Sequence, residues 1–183
     1  MATGLMAGQP LQRSDLEQLI NEVGDVLAAQ QADHRAIVVV GGSYLALRGL
    51  RDATRDVDVI TVLDDELRQA IETVAERHDL SLAWINANAR PFAPQGLDMT
   101  SCTVLVEHPA ITVLGPPARW VFLMKLYAAR PGADHHDMVA LWAHTDFVGP
   151  DDAVEAFYEA YPLEEFDPHL IDYVTNIANR PHT

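Results

Sequence analysis

The chain has 183 residues, and its 12 Lys and Arg residues against 27 Asp and Glu residues give a formal net charge of −15. This length corresponds to about one domain, and a hydrophobic fraction of 49% is typical of a folded chain rather than a disordered one. The negative charge argues against a protein that coats nucleic acid through a broad basic surface, because phosphate contacts need clustered Lys and Arg.

The first half of the chain predicts an alternation of helices and strands. Ser14 followed by Glu17 forms a capping box ahead of apolar residues spaced three and four apart. An apolar, β-branched run then ends at Gly41-Gly42, which indicates a buried strand that enters a tight turn. The predicted elements are a helix over 14–30, a strand over 36–40, a short helix over 43–50, a strand over 56–62 in which acidic and apolar residues alternate, and a helix over 65–78 capped by Asp64 or Asp65.

The second half predicts two or three strands and then four helices. Pro and Gly residues indicate a loop over 86–96, and His108-Pro109 indicates the turn between two strands. The predicted strands cover 82–85, 97–107 and 110–114. The four helices are predicted to begin at Gly115-Pro116-Pro117, Asp134, Pro150 and Asp167-Pro168, and the first of them to end at Arg130-Pro131-Gly132.

This order of elements predicts an α/β fold with a small mixed sheet, followed by a helical C-terminal part. We assign residues 1–114 to the α/β core and residues 115–183 to a helical subdomain. Both pieces are small, so neither is expected to fold independently.

Two short motifs in the first half carry the chemistry. Asp56 and Asp58 lie two residues apart on a predicted strand, so both carboxylates project from one face and can hold one or two divalent cations. Apolar neighbours make an unpaired charge costly there, and a metal ion would relieve that cost. Upstream, Gly41 and Gly42 let a phosphate approach the backbone, and Ser43 lies at a predicted helix N-terminus. If the two strands are neighbours, these features indicate a triphosphate bridged to the carboxylates by metal ions.

The two motifs, in this order, resemble those of nucleotidyltransferases with the DNA polymerase β-like fold. The fuller pattern over 39–51 and 53–59 is similar to the AbiEii and MenT toxin branch of these enzymes. That branch also has a helix bearing Lys, a short basic segment and then Asp. The residues that match it in order are Lys125, Arg130, Asp134 and Asp137, so the resemblance covers about residues 36–142.

The resemblance implies a role for each matching residue. Asp56 and Asp58 would bind two catalytic Mg²⁺ ions, and the helical subdomain would complete the active site. Lys125 would contact the triphosphate or the leaving pyrophosphate, and Asp137 would help to complete the site. The residues expected to bind the nucleotide are Gly41, Gly42, Ser43, Arg55, Lys125 and Arg130.

Two further features are interpreted with the same site in mind. Arg48, Arg51 and Arg55 form the densest basic cluster of the chain, where a triphosphate or a polynucleotide end could dock. In many members of the fold a third carboxylate on a strand acts as general base, and Asp98 lies within the predicted strand 97–107. Asp98 is therefore the expected base.

Each of these residues also has an ordinary structural interpretation. Asp56 and Asp58 could line a solvated strand face, and Ser43 could only cap its helix. Lys125 could be a surface lysine whose stem covers apolar residues, and Asp134 with Asp137 could only stabilise a helix start.

The sequence therefore predicts a magnesium-dependent nucleotidyltransferase that moves NMP from an NTP to an acceptor. The resemblance implies the toxin of a toxin–antitoxin pair, with the 3′ end of tRNA as acceptor and a cognate antitoxin as partner. A protein or small-molecule acceptor is an alternative within the same class. A non-catalytic module of the same fold, which senses a nucleotide or binds a protein, is the alternative from a different class.

The compartment is predicted from what the sequence lacks. There is no run of 18 apolar residues and no N-terminal signal pattern, which predicts neither a membrane span nor secretion. The only cysteine, Cys102, excludes an internal disulfide and fits a reducing compartment. We expect a cytoplasmic protein without a membrane partner.

Overall fold

A computed structural model describes residues 9–128 and 133–180. Within these residues the fold is mixed α/β, with seven α-helices, a five-stranded sheet and a two-stranded sheet. The described chain divides into two compact units. The first contains residues 9–91 and 102–115, and the second contains residues 92–101, 116–128 and 133–180.

The first unit contains every strand of the described chain. Its elements, in chain order, are β1 (Leu11–Gln12), α1 (Arg13–Ala29), β2 (Arg35–Val40), α2 (Gly41–Leu47), β3 (Ala53–Thr54), β4 (Val57–Val59), α3 (Asp65–Arg77), β5 (Ile85–Asn86), β6 (Thr103–His108) and β7 (Ile111–Gly115). The five-stranded sheet has the order β5-β4-β2-β7-β6, and β1 pairs with β3 in the small sheet. β2 runs parallel to β7 and antiparallel to β4, so the sheet is mixed as predicted.

Apolar faces of α1 and α3 pack together and form much of the core of this unit. The stripe predicted for the first helix is buried as a whole, and its residues are Leu16, Leu19, Ile20, Val23, Val26 and Leu27. The start of this helix differs from the prediction. α1 begins at Arg13, and the Asp15 carboxylate accepts a hydrogen bond from the Gln12 N–H at 2.8 Å. The expected Ser14–Glu17 capping box is therefore wrong, because the box is formed two residues earlier.

Two predicted strands are shorter in the structure. β4 covers Val57–Val59 rather than 56–62, and β5 covers Ile85–Asn86 rather than 82–85. A third prediction fails over its first part: residues Met99–Ser101 form a 3₁₀ turn, and the strand begins at Thr103. The hairpin that joins this strand to β7 is confirmed, with His108 paired to Ile111.

Asp64 caps α3 and is one of the two residues predicted for this cap. Its carboxylate accepts a hydrogen bond from the Leu67 N–H at 2.9 Å and another from Arg35 Nε at 2.6 Å. The hydrogen bond from the Leu67 N–H is the largest cause of the lowered pKa of Asp64, and the Arg35 guanidinium lowers it further.

An Asp64→Ala variant is expected to lose about 1 kcal/mol of stability, because an orphan N–H at the helix start loses its acceptor. The wild-type advantage should be present at neutral pH and should vanish as the pH falls through the lowered pKa of Asp64. Thermal unfolding of the two proteins at several pH values measures both effects. Asp65→Ala, one residue along the same turn, is the control and should change the melting temperature little.

The second unit is helical and includes a short segment that was predicted to belong to the α/β core. Its helices are α4 (Ala118–Ala128), α5 (Ala133–Trp142), α6 (Pro150–Ala160) and α7 (Leu170–Ala178). The segment Phe92–Ser101 belongs to this unit because the Phe92 carbonyl accepts a hydrogen bond from the Tyr161 hydroxyl and the Gln95 N–H donates to Ala160 O. The chain order predicted a single division after residue 114.

The ends of the helices can be compared with the prediction only in part. The expected end of α4 at Arg130-Pro131-Gly132 lies outside the described residues. α6 begins at Pro150 as predicted, whereas α5 begins at Ala133, one residue before its expected cap. In the portion of the chain that is described, no helix has the length and apolar character needed to cross a membrane.

Candidate functional site

The structure brings the two predicted motifs together at the junction of β2 and β4. These strands are antiparallel neighbours, and their register pairs Val40 with Asp58 and Val39 with Val59. Because Gly41 follows Val40 directly, the turn after β2 begins beside the Asp58 side chain. The condition on which the sequence interpretation depended, that the two strands lie next to each other, is met.

Gly41 is required at this turn by two independent facts. Its φ is +62°, a left-handed conformation that side chains with a Cβ adopt only at a cost. A Cβ atom at this position would lie 3.1 Å from Asp58 Oδ2. The absence of a side chain thus allows the carboxylate to lie against the backbone of the turn.

Gly42 is enclosed by the segment that leads into β4. A Cβ at Gly42 would lie 2.7 Å from Thr54 Oγ1 and 3.2 Å from Arg51 Nη1. Thr54 is buried, and its hydroxyl donates to the Asp56 carbonyl at 3.1 Å. The turn therefore has the Asp58 carboxylate next to Gly41 and the Arg51 guanidinium next to Gly42.

The two aspartates differ in their surroundings. Asp58 is half-buried on β4, between the buried residues Val57 and Val59, so the predicted alternation holds for this strand. Asp56 precedes the strand and is exposed. The expectation that both carboxylates lie in apolar surroundings is therefore wrong for Asp56, because β4 starts one residue after it.

Ser43 does not present its hydroxyl proton to the outside of the turn. The residue is fully buried, and its Oγ donates to the Val40 carbonyl at 2.9 Å. Because a serine hydroxyl has one proton to donate, this bond ties the turn to the end of β2. A phosphate at this turn would have to be held by the backbone and by Arg51 rather than by the Ser43 proton.

The three arginines of the predicted basic cluster have different positions. Arg51 lies against Gly42, as described above, and the Arg48 guanidinium lies over the Tyr44 ring, 5.8 Å from its centroid. Arg55, the member predicted to bind the nucleotide, is exposed beside Asp56. Of the predicted basic cluster, Arg51 is thus the member that lies at the turn. Thr54 is the residue at the turn that was not predicted, although the Thr-x-Asp-x-Asp spacing placed it close by.

The donor set at this junction fits magnesium. The described residues hold no group of three or more His, Cys, Asp or Glu side chains that could form a metal cage. Magnesium needs no such cage, since it commonly binds through one or two carboxylates, several waters and substrate phosphates. Asp56 and Asp58 would supply the carboxylates, and the space left by the missing Cβ of Gly41 lies next to Asp58 Oδ2.

A Gly41→Ala variant is expected to lose about 1–2 kcal/mol of stability from its positive φ and also to displace the Asp58 carboxylate. Gly49→Ala is a matched control: Gly49 has a φ of +71°, but a Cβ there would meet nothing within 4 Å. Both variants should unfold more easily in urea. Only Gly41→Ala should bind Mn²⁺ more weakly, and equal Mn²⁺ binding by the two variants would contradict the assignment.

The other predicted residues lie in the second unit, where three of them form a buried ionic cluster. Lys125 Nζ on α4 lies 3.1 Å from Asp134 Oδ1 and 2.7 Å from Asp137 Oδ2 on α5. The exposed fractions are 7% for Lys125, 2% for Asp134 and 7% for Asp137. The alternative of a surface lysine is therefore wrong, and the ammonium is held by two carboxylates.

Asp98 is not on a strand, which corrects the prediction made for it. It is exposed in the second unit and precedes the 3₁₀ turn Met99–Ser101. The Thr100 hydroxyl donates to Asp98 Oδ2 at 2.6 Å and the Thr100 N–H donates to Oδ1 at 2.8 Å, and these bonds lower the pKa of Asp98. A carboxylate with a lowered pKa is a weaker base.

Arg130, predicted to bind the nucleotide, lies outside the described residues.

A scan against models of protein families, a search of curated proteins and a search of solved structures found no match to this chain.

Proposed function

We propose that the protein is a magnesium-dependent nucleotidyltransferase of the polymerase β-like type, which transfers NMP from an NTP to an acceptor hydroxyl. The observation that carries the proposal is the register of Val40 with Asp58, which sets the Gly41-Gly42 turn against a carboxylate. A backbone turn for phosphate next to carboxylates for metal is the arrangement that phosphoryl transfer needs.

Different residues of the chain would bind the metal and the triphosphate. Asp56 and Asp58 would hold the metal, and the Gly41-Gly42 backbone with Arg51 would hold the triphosphate. Bound Mg²⁺ would supply charge neutralisation for the phosphates and the leaving group. The acceptor oxygen would bond to the α-phosphorus as the bond to the β-phosphate oxygen breaks, pyrophosphate would leave, and the hydroxyl proton would pass to solvent.

The acceptor and the biological role extend the same proposal. The pattern over 39–59 and the order of Lys125, Asp134 and Asp137 support a toxin of the AbiEii and MenT type that acts on the 3′ end of tRNA and is restrained by an antitoxin. The charge of −15 is unfavourable for a large RNA interface, so the RNA contact would have to be small. Binding whose dependence on salt is near zero would count against a polynucleotide acceptor.

The experiment is to incubate the protein with Mg²⁺, each α-labelled NTP in turn and total tRNA, with Asp58→Ala as control. Label that enters RNA with the wild type but not with the variant would support tRNA nucleotidyl transfer and identify the nucleotide. Label that enters protein, or a small molecule added in place of tRNA, would identify that molecule as the acceptor instead of tRNA. Absence of transfer to every acceptor tested would contradict the enzymatic proposal.

A second candidate is a non-catalytic module of the same fold that binds a nucleotide or a protein. It is favoured by two observations: Ser43 donates inward to Val40, and Lys125 is held by two aspartates. Nucleotide binding without pyrophosphate release would distinguish this candidate from the enzyme.

A further inference from the structure

The strand on the other side of Asp58 is β5, which forms the edge of the five-stranded sheet. β4 and β5 are parallel, and their register pairs Val57 with Ile85 and Asp58 with Asn86. Residues paired in register on neighbouring strands project from the same face, and the strands lie about 4.8 Å apart. Asn86 therefore lies beside Asp58, on the face of the sheet that carries its carboxylate.

A backbone hydrogen bond sets the orientation of the Asn86 amide. The Asn88 N–H donates to Asn86 Oδ1 at 3.0 Å. Because a backbone N–H can only donate, the amide atom that faces it must be the oxygen, and Nδ2 with its two protons is turned the other way. Asn86 is half-buried on the edge strand of the sheet, so part of its side chain is accessible to a ligand.

The Asn86 amide differs in chemistry from a carboxylate such as Asp98, which was predicted to be the third polar residue of the site. An amide NH₂ donates hydrogen bonds, whereas a carboxylate only accepts them or binds cations. The position beside Asp58 thus adds donors to a site that already has carboxylates for a cation. Donors at this place suit the oxygen atoms of a nucleotide, on its phosphates or its ribose.

We infer that Asn86 is a further nucleotide-binding residue, whose Nδ2 donates to an oxygen of the nucleoside triphosphate held at Asp58. The inference rests on the proposed function, because it requires a nucleotide at the Gly41-Gly42 turn. It predicts that the position controls the balance between nucleotide and metal affinity: an amide favours the anion, and a carboxylate of the same shape favours the cation.

The test uses the full chain and two variants, Asn86→Ala and Asn86→Asp. Calorimetry with each of the four α,β-methylene nucleoside triphosphates measures nucleotide binding, first without and then with Mg²⁺, and electron paramagnetic resonance measures Mn²⁺ binding. Asn86→Asp keeps an acceptor for the Asn88 N–H, so it should fold even where Asn86→Ala does not. Asn88→Asp makes the same change of charge two residues further on, outside the register with Asp58, and is the matched control.

Asn86→Ala is expected to bind the nucleotide about 10-fold more weakly, as for a lost hydrogen bond to a charged group, with Mn²⁺ affinity unchanged. Asn86→Asp should bind the metal-free nucleotide still more weakly and Mn²⁺ more tightly, and Asn88→Asp should match the wild type. Wild-type nucleotide affinity in both Asn86 variants would overturn this inference alone. A wild-type protein that binds none of the four analogues would overturn the proposed function and this inference with it.

Discussion

An Asp58→Asn variant is expected to transfer nucleotides about 10³-fold more slowly than the wild type. The amide keeps the shape of the side chain but removes the negative charge that would hold the metal. Metal ions contribute several kcal/mol of charge stabilisation in such reactions, and about 4 kcal/mol corresponds to a 10³-fold change in rate. The rate of pyrophosphate release with the NTP identified by labelling is the measurement.

The surroundings of Asp58 leave room for an amide of the same shape, so this substitution changes the charge alone. Asp58 is half-buried and lies 3.1 Å from the position that a Gly41 Cβ would occupy, so an isosteric amide fits where a larger residue would not. Asp52→Asn is the control, because Asp52 is an exposed acid in the segment before β4. A variant that keeps both transfer and Mn²⁺ binding would contradict the metal role, whereas loss of Mn²⁺ binding with rapid transfer would contradict the need for the metal.

Those parts of the fold that depend on local patterns could be predicted from the sequence. The buried stripe of α1, the cap of α3 at Asp64 and the β6–β7 hairpin each follow from spacing or turn residues within a few positions. The pairing of β1 with β3 and the sheet order could not be read in this way, because they are contacts between distant segments of two to six residues. The first part of the predicted strand 97–107 has alternating apolar residues, but Met99–Ser101 form a 3₁₀ turn directly after Asp98.

The candidate site was predictable in its parts and less so in its arrangement. Gly41, Gly42 and Asp58 were named from the motifs, and the register of β2 with β4 brings them together. The inward bond of Ser43 and the position of Asn86 depend on side-chain direction and strand register, which one sequence does not encode locally. The same holds for Lys125, since helical spacing cannot tell whether an ammonium meets solvent or two buried carboxylates.

A Lys125→Met variant is expected to lose about 3–5 kcal/mol of stability, a large share of what holds a domain of this size together. Methionine preserves most of the volume of the lysine stem, so the loss comes from charge. Asp134 and Asp137 would be left buried beside each other without the ammonium that lies 3.1 Å and 2.7 Å from them. Urea unfolding followed by circular dichroism measures the difference.

A compensated variant separates this structural effect from a role in transfer. Replacing a whole buried ionic cluster with uncharged residues is often neutral, whereas removing one partner is not. Lys125→Met/Asp134→Asn/Asp137→Asn should therefore recover most of the stability that Lys125→Met loses. If Lys125 contacts the triphosphate, the recovered protein stays slow in nucleotidyl transfer at saturating Mg²⁺. If transfer returns together with stability, the cluster only holds α4 and α5 together, and the nucleotide contacts lie with Gly41, Gly42 and Arg51 instead.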